Sequence, residues 1–271
     1  MSTNSPVVIL ENNLSVAWAR ALQEALKRSD RELAPLTVSI GGFSGAPAED
    51  EEIGRLFDAA RLKYKKKRIF SATVSASTIF PWAFWRMNGS LNCKELTKRY
   101  LGEILPRLKD RDILNKHGTY FERMVNFGEN IEKRIPGKNQ LAHIVELWTK
   151  RRDARSHPRH SAMVVSCFDP QRDHSLALMR GFPCLQQVSF GYDNSGGLSV
   201  SAYYPTQYIF DRAYGNYLGL AHLGQFMASQ LGVKLVRINV FVGRPELGSP
   251  GKKELKGLSD AISKRLEELA R

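Results

Sequence analysis

Gln187-Val-Ser-Phe-Gly-Tyr192, Asp193-Asn-Ser-Gly-Gly197 and Leu198-Ser-Val-Ser-Ala-Tyr-Tyr204 are one continuous stretch, and its reading decides the fold. Both flanks alternate with the period of a half-buried strand, and the turn-rich centre joins them as a hairpin. Working outward, a long helix begins near Asn216, carries Leu220, Leu223, Met227 and Leu231 as a core stripe, and stops at Gly232. Further strand-like runs lie at Ala162–Phe168 and Leu235–Val242. The N-terminal half reads differently. Residues 12–28 place Val16, Ala19, Leu22 and Leu26 on one helical face with Asn13 or Ser15 as cap, residues 36–42 alternate like a strand, and a small, acidic loop at 42–50 precedes a helix at 51–67. Amphipathic segments follow at Glu95–Leu108 and Gln140–Lys150, the latter with Leu141, Ile144, Val145 and Trp148 on one face. From Gly251 a charged helix presents Leu255, Leu258, Ile262, Leu266 and Leu269 for docking on the body or on a partner. No repeat, low-complexity stretch or linker interrupts the chain, so the expectation is one α+β domain over residues 1–271.

The 271 residues, 42% of them hydrophobic, suffice for a substantial core. No apolar run approaches the ~20 residues of a membrane span, and the polar start lacks the regions of a signal peptide, so a cytoplasmic protein is expected. A net charge of +13 favours anionic partners. The basic residues concentrate in Arg61–Arg68 and Lys150–His160; each run is either a polyanion dock or a solvated surface. The histidines are isolated and the cysteines lack ligand spacing, so no metal is expected.

Cys93, Cys167 and Cys184 read as free thiols. Cys184 stands apart, because a proline precedes it and an alternating strand follows; it is either a nucleophile or an inert thiol. Trp82 and Trp85 offer rings for stacking on a planar ligand such as a pterin, or belong to the core.

The order of the pieces, the strand Ala162–Phe168, Phe182-Pro-Cys184, the hairpin, and Tyr208-Ile-Phe-Asp-Arg-Ala-Tyr-Gly-Asn216 leading into a helix, resembles the thymidylate synthase superfamily. Gly118-Thr-Tyr-Phe-Glu-Arg123 and Asn139–Trp148 are similar to that family's tyrosine/arginine motif and following helix, especially in its nucleotide hydroxymethylase branch. The similarity covers about residues 95–242 and leaves the first ~90 residues outside. It implies a mixed sheet flanked by helices, a homodimer packed sheet to sheet, and transfer of a methyl or hydroxymethyl unit from 5,10-methylenetetrahydrofolate to C5 of a pyrimidine. In that chemistry a thiolate adds to C6 and an adjacent cation favours the thiolate. The resemblance therefore implies Cys184 as nucleophile, with Arg123, Arg180 and Tyr120 assisting; Asn216, Gln187, Arg159 and His160 on the substrate; and Tyr208, beside Trp82 and Trp85, toward the folate.

The sequence departs from the family where the substrate is gripped. Tyr204-Pro-Thr206 stands in place of the phosphate-binding Gln-Arg-Ser, Ser161 and Ala162 align with the arginines that reach across the dimer, Leu185 replaces a histidine, Tyr208 replaces an aspartate, and Phe241–Gly248 has no ribose-binding His-x-Tyr. Arg159 and His160 are the nearby replacements for the clamp. Each lost charge-assisted hydrogen bond removes ~1.5–3 kcal/mol. Plain deoxyuridylate is thus not the expected substrate; a nucleoside, a free base or a pyrimidine within a polymer is. The competing expectation is a catalytically inactive member of the fold that binds nucleic acid or an acidic partner.

Overall fold

A computed structural model describes residues 5–27, 34–64, 69–89, 91–111, 115, 118–130, 132–153, 156–174, 176 and 183–271. In chain order the elements begin with β1 (Val7–Glu11), α1 (Leu14–Lys27), β2 (Leu36–Ile40), α2 (Glu51–Leu62), α3 (Ala72–Ser77), α4 (Trp82–Met87) and α5 (Cys93–Arg99). A π turn (Tyr100–Ile104) leads into α6 (Leu105–Arg111), followed by α7 (Tyr120–Val125), α8 (Gln140–Asp153), a 3₁₀ turn (His160–Ala162), β3 (Val164–Ser166) and α9 (Pro170–Asp173). The hairpin strands β4 (Gln187–Tyr192) and β5 (Gly197–Tyr208), a π turn (Ile209–Ala213), α10 (Tyr214–Leu231), β6 (Lys234–Glu246) and α11 (Lys256–Leu269) complete the chain.

The strands form one mixed six-stranded sheet in the order β1-β2-β6-β5-β4-β3. The pairs β1/β2 and β5/β6 are parallel, and the remaining neighbours antiparallel. One face is the core, where Ile9, Val38, Val240, Ala202, Val188 and Val165 line up across the six strands and are buried. α10 packs there against β5 and β6, and α3 packs on α10. Gly215 and Gly219 allow the close approach of α3: a Cβ on Gly215 would stand 2.4 Å from the Ser75 Cβ and 2.6 Å from the Ala72 carbonyl. The opposite face is open, with Val8 62%, Leu10 68%, Tyr203 40% and Phe241 45% exposed.

The hairpin forms as expected. Asp193 Oδ1 accepts the N–H of Ser195 and Gly197, and Gly196 takes the positive φ of 80° the turn requires. α10 ends at Gly232 in the left-handed conformation, as its sequence predicts, but begins two residues before Asn216 and continues a π turn instead of starting at a cap. The segment Glu95–Leu108 differs more. Pro106 has no N–H for the carbonyl one turn back, and the expected single helix divides into α5, the π turn and α6. The strands expected at 162–168 and 198–204 become shorter and longer, and β1 is an edge strand absent from the sequence reading. α1 is capped by Asn13, whose Oδ1 accepts the Val16 N–H, and α2 by Asp50. α11 docks on the body: Leu255, Leu258 and Ile262 are buried, Gln23 exchanges hydrogen bonds with Ser259, and Arg265 grips the Asp50 carboxylate. Among the described residues no helix is long and apolar enough to cross a membrane.

Candidate functional site

Cys184 lies three residues before β4. The Gln186 N–H donates to the Tyr203 carbonyl, and the Gln186 carbonyl accepts from the N–H groups of Cys167 and Phe168. The regular ladder ends at the Gln187–Tyr203 pair, and Cys184 stands in the segment that leads into it. The thiol is partly buried, whereas Cys93 and Cys167 are fully buried.

Tyr120 reaches Cys184. It is the first residue of α7, held there by a capping box in which Thr119 accepts the Glu122 N–H and the Glu122 carboxylate accepts the Thr119 N–H. The Thr119 hydroxyl is hydrogen-bonded in turn to Tyr100 Oη at 2.7 Å. From this position Tyr120 lies close enough to Cys184 to favour its thiolate, and near the backbone of Cys184 and Leu185. Burial holds the Tyr120 phenol above its ordinary pKa, so it is a neutral hydroxyl donor at physiological pH. Burial also raises the Cys184 thiol; the Tyr120 hydrogen bond and the Arg212 charge pull it down, the Glu246 charge pushes it up, and burial wins. The resting group is therefore a thiol. Cys93 and Cys167, deeper in the core, are pushed up to about 12 by burial and are inert.

Arg123 does not serve the thiol. Its Nη1 donates to Asp173 Oδ2 at 2.6 Å and to the Cys167 carbonyl at 2.9 Å, and its Nη2 donates to Asp173 Oδ1 at 2.9 Å, with both side chains buried. The guanidinium is engaged in tying α7 to α9 and the end of β3. Arg180 lies outside the described residues, as do positions 65–68 and 154–155 of the two basic runs and His117. The cation whose charge reaches Cys184 is Arg212, in the π turn before α10, stacked over Phe70 at 5.0 Å. Its place four residues before Asn216 was the available sequence signal.

The other expected residues scatter. Asn216 is buried in the first turn of α10. Gln187 is exposed on the open sheet face beside Tyr203. Arg159 and His160 are exposed; His160 packs on Tyr192 at 4.3 Å, and the Tyr192 hydroxyl donates to the Pro158 carbonyl, folding the end of the second basic run against the hairpin. Trp85 is buried, with its indole N–H given to the Leu91 carbonyl at 2.8 Å. Trp82 is stacked on His222 at 4.4 Å and 6° within a cluster that includes Phe80. Neither tryptophan offers the open ring face that a pterin requires; of the three residues expected near a folate, Tyr208 alone is exposed, at 42%. The side chains present thus do not fit the folate platform that the resemblance implies.

Three residues of β5 and α10 complete the surroundings. Tyr204 and Tyr217 are fully buried, Gln207 is 1% exposed, and Tyr217 Oη donates to Gln207 Oε1 at 3.5 Å. Tyr204 feels the charges of Tyr120, Cys167, Cys184 and Tyr217, and burial lifts its pKa well above the ordinary value. No protein-family model matches this chain, and no curated protein matches its sequence at a significant level.

Proposed function

We propose that this chain is a divergent thymidylate-synthase-like transferase that acts as a homodimer and uses Cys184 to activate a pyrimidine other than plain deoxyuridylate for one-carbon transfer at C5. What supports the proposal is the placement of Tyr120, the first residue of α7, and of the Arg212 charge within electrostatic reach of Cys184. Sulfur forms a bond to C6, the C5–C6 π pair moves through C5 onto the 4-oxygen, and C5 becomes the nucleophile. The thiol proton passes to a general base, a role for which Glu246 is the carboxylate whose charge acts on the sulfur. Tyr120, held neutral, donates to the developing thiolate and not to a base role. A reduced-folate donor rests on the resemblance alone.

The open sheet face supports the dimer. Tyr203 and Phe241 stack at 5.9 Å at its centre, beside a row in which Arg237 donates to Ser39, Ser39 to Asn239 and Asn239 to Ser201. The Ser39, Asn239 and Ser201 side chains are paired with one another within the sheet, so a second copy can cover them at little cost, while the exposed Arg237 guanidinium would need an acceptor from the partner surface.

A second reading, an inactive member of the fold that holds nucleic acid or an acidic partner, is favoured by the raised Cys184 pKa and by the commitment of Arg123 to Asp173. The pH-dependent alkylation rate of Cys184, read by mass spectrometry against Cys93 and Cys167, separates the two. A nucleophile loses rate at fixed pH in Tyr120→Phe and Arg212→Ala, because each removes an interaction that favours the thiolate. Equal rates in all three proteins would remove the catalytic reading and leave the second.

A further inference from the structure

The last turn of α8 carries Lys150, Arg151 and Arg152, and the chain that follows it carries His157, Arg159 and His160; all six are exposed. Backbone contacts fold this run against the hairpin: the Ser156 N–H donates to the Arg151 carbonyl at 2.8 Å, and the Tyr192 hydroxyl donates to the Pro158 carbonyl. The His157 ring lies 5.6 Å from Trp148 and 5.2 Å from Tyr192, the His160 ring 4.3 Å from Tyr192, and Trp148 closes the group at 5.0 Å from Tyr192. The indole N–H of Trp148 is anchored on the Leu231 carbonyl at 3.0 Å. The basic run therefore surrounds one cluster of four rings, and its two exposed members are histidines. Acids do not neutralise it. Among the described residues Glu146 pairs with Lys150 at 2.9 Å, Asp193 is committed to the N–H groups of the hairpin turn, and Arg151, Arg152 and Arg159 make no ion pair. The dipole of α8 accounts for cations in its last turn, but not for Arg159 and the two histidines outside the helix.

We propose that this surface holds a single-stranded nucleic acid, with Arg151, Arg152 and Arg159 on phosphates and the His157 and His160 rings as platforms for unstacked bases. A planar guanidinium offers paired N–H donors that match a phosphate, and an exposed ring gives a base a face to stack on. An acidic peptide would use the cations alone, and a duplex keeps its bases stacked on one another, so the ring cluster selects a single strand. Tyr192 shares a strand face with the buried Val188 and Phe190, so its ring packs on the helix-covered side of the sheet and not on the open face. Cys184 stands before β4 and Tyr192 ends it, so the surface and the thiol lie at opposite ends of that strand, which is roughly 17 Å long. The proposal rests on the nucleic-acid reading above, whose partner and surface it specifies, and requires nothing of Cys184.

The test is fluorescence anisotropy of the full-length protein with a labelled, mixed-sequence single strand of about twenty nucleotides, in DNA and RNA forms, over a range of salt; the matching duplex and polyglutamate are competitors. Arg151→Ala/Arg152→Ala, Arg159→Ala and His157→Ala/His160→Ala are compared with Arg55→Ala/Lys264→Ala, which removes the same charge as the first pair from α2 and α11. The single strand should bind, and a roughly fourfold rise in salt should weaken it about tenfold or more. The arginine variants should weaken binding and flatten the plot of log K against log salt by about 0.7 for each arginine removed. The histidine variant should bind about fivefold or more weakly at an unchanged slope, and the α2/α11 control should bind as wild type does. Melting temperatures check folding, and glutamine at the same positions replaces alanine in any variant that melts early. Tighter binding of either sugar form supports the surface and names the polymer. A control that weakens binding as much as Arg151→Ala/Arg152→Ala would reduce the effect to net charge and refute the surface. Equal competition by the duplex, or normal binding by the histidine variant, would refute the selection of a single strand, and stronger competition by polyglutamate would assign the surface to an acidic partner. Binding that survives in every variant overturns this surface and leaves the nucleic-acid reading standing; no binding of either single strand overturns both.

Discussion

Replacing Arg123 by methionine removes the guanidinium while keeping much of the side-chain bulk, and leaves the Asp173 carboxylate in the core with only the Asp169 N–H, at 2.8 Å, as a described partner. Removing one partner from a buried pair costs about 3–5 kcal/mol, because the remaining charge keeps its desolvation cost and loses its bidentate partner, with only the Arg172 charge still acting on it. For a chain of this size that loss is a fall in melting temperature on the order of 10 °C. The double variant Arg123→Met/Asp173→Leu removes the stranded charge and should regain most of the loss. It still leaves the Cys167 carbonyl and the Asp169 N–H without partners, at ~1 kcal/mol or more each, so recovery falls short of wild type. Urea unfolding at pH 7 measures all three. The pH dependence adds a signature: burial works against the Asp173 carboxylate, but the Arg123 hydrogen bonds and charge outweigh it and hold the pKa below the ordinary 3.8. A depressed folded pKa means that the pair's stabilisation is present above the unfolded pKa and is lost as pH falls through the folded one, so the gap between wild type and Arg123→Met should close below about pH 4. Alkylation of Cys184 in folded Arg123→Met should match wild type. A single-variant cost under about 1 kcal/mol, a double variant worse than the single, or a slowed Cys184 would refute the assignment of Arg123 to the ion pair.

Two further predictions follow from burial and from the sheet. His222 is buried against Trp82 and its pKa is lowered by burial to about 4, so the unfolded chain takes up its proton first; stability should decline by up to about 3 kcal/mol as pH falls from 6.5 toward 4, and urea midpoints of His222→Phe, which keeps a ring against Trp82, should be flatter across that range. Phe241→Lys puts a charge at the centre of the open face, so sedimentation should show the dimer giving way to a folded monomer; an unchanged dimer would place the interface elsewhere, and a monomeric wild type would remove the dimer altogether.

The hairpin, the stop at Gly232 and the apolar faces of α1, α8 and α11 were legible because they are local: a period of two, a period of 3.6, and turn residues with few alternative conformations. The α+β class followed from them. β1 was not legible, since its five residues earn their place only by pairing with β2 at the sheet edge, and the division of the Glu95–Leu108 helix turned on where Pro106 falls relative to the surrounding packing. The site was half legible. Cys184 and Tyr120 were picked out by their neighbours in the chain, and in the structure they lie near one another. Arg123 was assigned to the thiol because both are near the same motifs, yet the orientation of α7 turns it toward Asp173, fifty residues further on.

The sequence by itself therefore determined the hairpin, the longer amphipathic helices, the basic α+β character and the one cysteine presented by a proline, because these depend on residue type and spacing. Only the tertiary structure decided which described cation acts on the thiol, that Val8, Leu10, Tyr203 and Phe241 stand exposed on one face of the sheet, and that Tyr204 and Gln207 carry buried groups with no hydrogen-bond partner among the described residues. Those facts depend on distances between residues remote in the chain and on which of them lose contact with water, and neither quantity is encoded in any local pattern.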